Sequence, residues 1–183
     1  MEKKEVQKIV KEKLKRIGFT VKGNVCHKIL GDDYLVGVWL DHNPYSKGYF
    51  IEYGVVYLPD EEKMPFNGFC DWDDRFLFTQ EPNVDLEKYQ IQEMEYNEDG
   101  LTECFEYVDR TAEDLMAQLE INIQKKLALL DDKEYVLKYY LKNLDLLARL
   151  PENTLKKMLG LYCYNRTEIN RLRNQWGYDK CDF

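Results

Sequence analysis

The stretch at residues 34–59, YLVGVWLDHNPYSKGYFIEYGVVYLP, constrains the fold more than any other part of the chain. Both of its halves are rich in β-branched and aromatic residues, and residues 43–47 between them have the composition of a turn. This pattern predicts two antiparallel strands, at 34–42 and 48–58, joined by a five-residue loop. A sheet is therefore expected at the centre of the molecule, with the other elements packed around it.

A shorter hairpin precedes this pair of strands. Residues 19–22 are typical of an extended run, Gly23 and Asn24 of a turn, and the segment that ends at Leu30 of a strand. A second turn at 31–33 leads from that strand into the central pair. If the loops close symmetrically, side chains on neighbouring strands fall into rows, and alternate rows share one face of the sheet.

These registers predict one core face and one mixed face. The predicted core face carries three rows: Val25, Trp39 and Ile51; Ile29, Leu35 and Val55; His27, Gly37 and Tyr53. The mixed face carries the remaining rows: Asn24, Leu40 and Phe50; Cys26, Val38 and Glu52; Lys28, Val36 and Gly54. Because a slip of one residue would reverse the two faces, each assignment depends on how the loops close. The mixed face has the composition of a sheet surface that is half covered by a helix or presented to a partner.

The first helix is predicted at residues 3–17, where apolar residues recur at spacings of three and four. This stripe consists of Val6, Ile9, Val10, Leu14 and Ile17. Gly18 is expected to end the helix in a left-handed conformation. The opposite face carries Lys4, Lys8, Lys11, Lys15 and Arg16. A basic face of this kind would suit nucleic acid, but Glu2, Glu5 and Glu12 dilute its charge, and a solvated helix face is the simpler interpretation.

Weaker strand signals follow the central pair. Residues 59–65 form an acidic connection bounded by prolines, and an edge strand is predicted at 75–80. Further along, segments 89–96 and 101–108 flank a turn at 97–100 and suit a hairpin, although residues 87–95 would fit a helix equally well.

The last third of the chain is predicted to be helical. Thr111 begins a helix as its N-cap, with Asp114 at the capping-box position where Glu or Gln is usual. The apolar stripe of this helix is Met116, Leu119, Ile123, Leu127 and Leu130. Asp131-Asp132 marks its end, and further helices are predicted around 136–147, from Pro151 and from Asn165. The fold class is therefore α+β, with a helix and antiparallel sheet in residues 1–110 and a helical region in 111–183 that packs on the same core as one domain.

Length and charge restrict the function. The 183 residues suit one domain of roughly 100–200 residues, and a hydrophobic content of 44% is sufficient for a core. No run approaches the ~18 apolar residues of a membrane helix, and the charged N-terminal segment lacks a signal-peptide core. We therefore expect a cytoplasmic protein without a membrane partner. The net charge of −8 disfavours nucleic acid as a partner and is compatible with a basic protein.

The chain also lacks the motifs of several enzyme classes. It contains no G-x-S-x-G, no phosphate-binding loop, no dinucleotide-binding G-x-G-x-x-G and no H-E-x-x-H. The five cysteines, Cys26, Cys70, Cys104, Cys163 and Cys181, are scattered without C-x-x-C spacing, so reduced thiols are expected rather than a zinc site. We predict no catalytic residue, no metal and no cofactor.

Several short motifs in the first third of the chain resemble a known family. Ile17-Gly18-Phe19, Gly23-Asn24, Gly31-Asp32 and the run from Phe50 to Gly54-Val55 are similar to the pattern of the bacterial family called domain of unknown function 4304. Cys26 and Glu52 depart from that pattern, in which an aromatic residue and asparagine are usual. The resemblance implies an α+β fold with an antiparallel sheet in a bacterial cytoplasmic protein, and it transfers no catalytic residue.

Two groups of residues are candidates for a site on the sheet. His27 and Tyr53 are predicted to meet across Gly37, either as an acid–base pair beside a small pocket or as a core histidine bonded to a tyrosine. Glu52 would be desolvated among apolar neighbours unless it is paired, and Lys28 is its predicted partner. That pair is either a surface ion pair on an open sheet or part of a face that meets a ligand or partner.

The densest acidic run, Asp71-Trp72-Asp73-Asp74, is a third candidate. It lacks the glycine and the ligand spacing of a calcium loop. We interpret it as a docking patch for a basic protein, with Trp72 as an apolar anchor. The leading hypothesis is a non-enzymatic protein-interaction module, in one version an immunity-type protein that neutralises a basic toxin domain. The alternative is a small-ligand-binding protein or hydrolase with a pocket near His27, Tyr53 and Glu52.

Overall fold

The computed structural model describes residues 1–30, 34–57, 70, 72–82, 100–132, 135, 167, 171 and 174. Its elements, in chain order, are α1 (Lys3–Arg16), β1 (Thr20–Lys22), β2 (Val25–Leu30), β3 (Tyr34–His42), β4 (Gly48–Tyr57), β5 (Trp72–Arg75), β6 (Phe78–Thr79), β7 (Leu101–Thr102), β8 (Cys104–Glu106) and α2 (Ala112–Asn122). α2 continues through a π turn, Ile123–Leu127, which is followed by a 3₁₀ turn, Ala128–Asp131. The predicted α+β class is confirmed.

The main sheet is antiparallel and has the order β1-β2-β3-β4-β5. β4 is the next-to-last strand in this order: β3 pairs along one of its edges, while β5 and β8 share the other edge. β8 takes the first part of that edge, opposite Gly48–Phe50, and β5 takes the part from Glu52 to Val55. β6 and β7 form a separate two-stranded sheet. Two chain segments therefore meet at the middle of the β4 edge.

α1 has the boundaries that its apolar spacing predicts. Val6, Val10 and Leu14 are buried in the core, and Ile9 and Ile17 pack against its margin. At the N-terminus the side chains of Glu2 and Glu5 form a capping box. At the other end Gly18 has a φ of +93°, the left-handed conformation that glycine adopts without a steric penalty.

The predicted register is correct between β2 and β3 and wrong between β3 and β4. β2 and β3 pair as expected, with Val25 opposite Trp39 and His27 opposite Gly37. Between β3 and β4 the prediction was wrong by one residue, because Trp39 lies opposite Glu52 rather than Ile51. The cause is the loop: the Asn43 amide donates to the carbonyl of Gly48 at 3.1 Å, so the hairpin closes over four residues instead of five.

Relative to β3, this shift turns every side chain of β4 to the opposite face, so the core residues Ile51, Tyr53 and Val55 share a face with Val36 and Val38 instead of with Gly37 and Trp39. The face that packs against the helices consists of Cys26, Val36, Val38, Leu40, Ile51, Tyr53 and Val55. The predicted core face was therefore wrong for β2 and β3, whose residues on that side include Ile29, which is 58% exposed. We call the sheet surface opposite the helices the outer face; it carries His27, Gly37, Trp39, Glu52 and Gly54.

α2 begins where the sequence predicts. The Thr111 hydroxyl accepts a hydrogen bond from the Asp114 amide at 3.2 Å, which confirms the N-cap. Leu119, Ile123, Leu127 and Leu130 are buried in the same core as α1 and the sheet. Met116 was wrongly placed in this stripe. It is 44% exposed, and the fully buried side chain is that of Leu115, four residues before Leu119.

The strand predictions after β4 require correction or lie outside the described residues. The edge strand expected at 75–80 is instead two short strands, β5 and β6, and the strand expected at 101–108 is divided into β7 and β8. The connection 59–65, the turn 31–33, the segment 89–96 and most of the chain after 132 are not among the residues described.

A buried thiol on β2 makes the stability of this fold depend on alkaline pH. Burial raises the pKa of Cys26 to about 11, although Lys11 lowers it slightly. Because an unfolded thiol ionises near pH 9.0, the folded chain holds this proton more tightly. Its contribution to stability is complete below about pH 9 and is lost as the pH rises towards about 11.

We expect the free energy of unfolding, measured by urea denaturation across this pH range, to fall more steeply in the wild type than in Cys26→Ala. Cys104→Ala is the control and should keep the wild-type slope, because Cys104 is half-buried. Parallel pH profiles for the wild type and Cys26→Ala would contradict the assignment.

Candidate functional site

The register separates the residues that the sequence placed together. His27 and Glu52 lie on the outer face, whereas Tyr53 and Lys28 lie on the face towards the helices. The predicted meeting of His27 with Tyr53 across Gly37 was therefore wrong, since Gly37 lies opposite His27 on one side and Gly54 on the other. A common pocket for His27, Tyr53 and Glu52 does not form.

Each of the displaced residues has a structural explanation. The Tyr53 hydroxyl donates to Asp74 Oδ2 at 2.8 Å, and Lys126 Nζ donates to the same oxygen at 3.2 Å. Lys28 is not the partner of Glu52; its Nζ donates to the carbonyl of Ile17 at 3.2 Å, where a cation complements the C-terminus of α1. Burial, followed by the charge of Lys22, lowers the pKa of His27 below its usual value, which favours the neutral imidazole.

Glu52 is the centre of a polar cluster on the outer face. Trp39 Nε1 donates to Glu52 Oε2 at 2.6 Å, and Arg75 Nε donates to Glu52 Oε1 at 2.8 Å. Arg75 also donates through Nη1 to Glu103 Oε2 at 2.6 Å. Burial alone would lower the pKa of Arg75, but hydrogen bonds to the two carboxylates raise it above its usual value. Arg75 is therefore held charged and fixed in position.

Strand pairing positions Trp39, Glu52 and Arg75, and the connection between β7 and β8 positions Glu103. Arg75 lies directly opposite Glu52 in the β4–β5 ladder, and its guanidinium carbon is 4.5 Å from the centre of the Phe50 ring. β5 ends at Arg75, and the next amide, that of Phe76, donates to the carbonyl of Ile51 at 2.9 Å. The chain returns between β7 and β8 with Glu103, which reaches the second side of the guanidinium.

Two exposed acids extend this surface. Asp41 lies opposite Phe50 in the β3–β4 ladder, and Asp73 lies opposite Gly54 in the β4–β5 ladder, so both belong to the outer face. We name the resulting surface the outer-face patch; it consists of Asp41, Phe50, Glu52, Asp73, Arg75 and Glu103. It carries four carboxylates, one guanidinium and an aromatic ring.

Sequence reasoning found part of this patch. Glu52 and Asp73 were predicted, whereas Asp41, Arg75 and Glu103 were missed. Asp74 points to the helix side and bonds Tyr53 and Lys126, so it does not belong to the outer-face patch. Of Trp72 only the backbone position opposite Val55 is described, and Asp71 is outside the described residues. A strand with alternating acids at 71 and 73 was the signal that would have placed Asp73 and Arg75 on one face.

The outer-face patch carries more negative than positive charge, because four carboxylates surround one guanidinium. Both oxygens of Glu52 accept strong hydrogen bonds, which removes the free, basic carboxylate that proton transfer requires. Within the described ranges, no three His, Cys, Asp or Glu side chains are grouped to hold a metal ion. Asp41 and Asp73, by contrast, are exposed and have their carboxylates available to a partner.

The basic face of α1 is exposed to solvent. Lys8, Lys15 and Arg16 are exposed, and so are Glu5 and Glu12. Lys8 and Glu12 form an ion pair at 4.0 Å with both side chains more than half exposed. In the part of the chain that the structure describes, no helix is both long and apolar enough to cross a membrane.

Comparison with known proteins adds no relative to these observations. No protein-family model matches the chain, and no curated protein or solved structure is significantly similar to it.

Proposed function

We propose that this chain is a protein-interaction module that binds a basic partner through the outer-face patch. The single observation that carries the proposal is the composition of that patch: four carboxylates around one guanidinium, of which Asp41 and Asp73 are exposed. Its net charge matches the sign of the whole chain, which is −8. A partner with a cationic surface would be attracted over several ångströms and oriented by this field.

The internal bonds of the patch support binding rather than catalysis. Arg75 holds Glu52 and Glu103 in fixed positions through bonds of 2.8 and 2.6 Å, so these carboxylates are ordered before a partner arrives. Prior ordering reduces the entropy that binding costs. The Phe50 ring, half-buried beneath the guanidinium, adds an apolar surface beside the charges.

A more specific form of the proposal is an immunity-type protein in a bacterial cytoplasm, which neutralises a basic toxin domain. The acidic charge and the single-domain length support this form. Membership in the domain of unknown function 4304 family is proposed on the motifs Ile17-Gly18-Phe19 and Gly23-Asn24. A toxin gene beside the gene for this chain would strongly support the specific form.

The binding proposal is tested with a fluorescein-labelled, Lys- and Arg-rich peptide and its affinity from fluorescence anisotropy. We expect Asp41→Asn with Asp73→Asn to weaken binding by about fivefold or more, as two lost surface ion pairs would. The matched control is Glu12→Gln with Glu113→Gln, which removes the same charge from exposed positions on α1 and α2. This control should change affinity by less than about twofold.

Salt provides the second criterion for this test. Binding through exposed charges should weaken as the ionic strength rises, because the Debye length falls from about 10 Å at 0.1 M to about 3 Å at 1 M. Equal weakening by the two variant pairs, or an affinity that is insensitive to salt, would overturn the proposal. Tight binding of a labelled oligonucleotide in place of the peptide would also overturn it and would favour the basic face of α1.

A further inference from the structure

A cleft opens on the helix side of the sheet, between the C-terminal end of α1 and the last helical turns of the described chain. Its volume is about 220 Å³. The floor and walls are apolar and are formed mainly by Phe19, Leu30, Val36, Ile123 and Leu127. Each of these side chains is itself buried, so the cleft is bounded by core residues rather than by mobile surface groups.

The wall of the cleft is built by an unusual helix turn. Ile123, Gln124 and Leu127, which line it, all belong to the π turn that follows α2. A π turn widens the helix by one residue and occurs frequently at functional sites. Here it directs Lys126 towards β5, where Nζ donates to the carbonyl of Arg75 at 2.7 Å, while Ile123 and Leu127 face the cleft.

Two charged residues line the cleft, and they differ in exposure. Lys28 is half-buried, lies 6.0 Å from the centre of the Phe19 ring and donates to the carbonyl of Ile17 at 3.2 Å. An ammonium group has three donors, so Lys28 can bond a further acceptor. Asp131 is exposed at the 3₁₀ end of the helix, where water screens its charge. The less screened charge beside the apolar floor is therefore positive.

We propose that this cleft binds a small amphiphile with an anionic head and a short apolar chain, of the class of linear monocarboxylates. The carboxylate would accept a hydrogen bond from Lys28, and the chain would lie on Val36 and Leu127. A volume of about 220 Å³ equals that of about seven waters at ~30 Å³ each. This space suits a chain of roughly six to eight carbons. The site lies on the opposite side of the sheet from the outer-face patch, so the two proposals stand or fall separately.

The proposal is tested by titrating octanoate into the full chain and following the binding by isothermal calorimetry and methyl NMR. We expect affinity to rise about fourfold for each methylene from butanoate to octanoate. Octylamine should bind about tenfold more weakly than octanoate. Chemical-shift changes should centre on Val36, Ile123 and Leu127, which line the cleft.

Variants distinguish specific binding in the cleft from non-specific binding to apolar surface. Lys28→Gln should weaken octanoate binding about tenfold. Lys28→Arg should bind octanoate about as tightly as the wild type, because arginine is also cationic. Ala128→Phe, at an exposed position on the rim, should block the cleft without disturbing the core. Its matched control is Ala117→Phe, also exposed but outside the cleft, which should bind octanoate like the wild type.

Three results would overturn the proposal. These are equal affinity for octanoate and octylamine, unchanged binding in Ala128→Phe, and shift changes spread over both faces of the sheet. Weak binding in both Lys28→Gln and Lys28→Arg would also count against the proposal. That result would indicate that each variant loses the hydrogen bond to the Ile17 carbonyl at the end of α1, rather than a contact with the ligand.

Discussion

Replacing Arg110 with methionine is expected to lower the free energy of unfolding by about 3–5 kcal/mol. Arg110 is only 7% exposed, and Nε forms an ion pair with Asp114, which is 5% exposed. Nη1 also donates to the carbonyl of Thr79 at 2.9 Å and to that of Gln80 at 3.3 Å. Methionine fills similar space but removes the Arg110 cation from the buried Asp114 carboxylate, and it leaves two carbonyls without this donor.

Urea denaturation of matched variants measures this effect. Arg16→Met removes the same type of side chain from an exposed position and should change stability by less than about 0.5 kcal/mol. Arg110→Met combined with Asp114→Leu should be less destabilised than Arg110→Met alone, because the buried carboxylate that Arg110 neutralises is removed together with it. A single variant within about 1 kcal/mol of the wild type would show that Arg110 has no such role.

The contacts of Arg110 belong to a network of polar side chains that connects α2 to the segment around β6. Asn122 bonds both the amide and the carbonyl of Leu77, at 3.0 and 2.8 Å, and Gln118 accepts from the Thr79 amide at 2.9 Å. These side-chain amides satisfy backbone groups as a neighbouring strand would. The sequence could not predict this network, because its hydrogen-bonded residues are separated by about 40 positions and polar residues at helix spacing are usually exposed.

The elements that the sequence predicted well depend on local chemistry. The apolar spacing of α1, the two-residue turn at Gly23-Asn24 and the N-cap at Thr111 are each decided within a few residues. The error between β3 and β4 has an equally small origin. One hydrogen bond, from the Asn43 amide to Gly48, decides whether the loop has four residues or five, and the composition of the loop permits both.

This one-residue difference in register determines which side chains surround Glu52 in the candidate site. With the symmetric loop, Glu52 shares a face with Lys28; with the observed loop it shares a face with Trp39 and Arg75. The desolvation argument correctly predicted that Glu52 needs a partner, but the partner depended on the register. Glu103 contacts Arg75 across 28 positions, through the meeting of two segments on one strand edge, which no local pattern encodes.

The same face of the sheet contains the second large prediction, at Gly54. A methyl group at this position would lie 3.0 Å from Trp39 Cη2 and from Cys70 Cβ, and closer still to Cys70 Sγ. Alanine in a strand is normally favoured over glycine by about 0.5–1 kcal/mol. Here the overlap with two side chains costs more than that gain, because overpacking a tight site costs about 1–3 kcal/mol. The displaced indole would also lose its hydrogen bond to Glu52.

We therefore expect Gly54→Ala to lower the free energy of unfolding by about 2–3 kcal/mol and to shift the Trp39 indole N–H resonance. Cys70→Ala removes the nearest atom, so the double variant Gly54→Ala with Cys70→Ala should recover at least half of that loss. A double-mutant cycle over these two positions then gives a coupling energy of about 1 kcal/mol or more. If the two changes are additive and the indole resonance does not move, Trp39 and Cys70 do not confine Gly54. In that case the position of Glu52 would not depend on this contact.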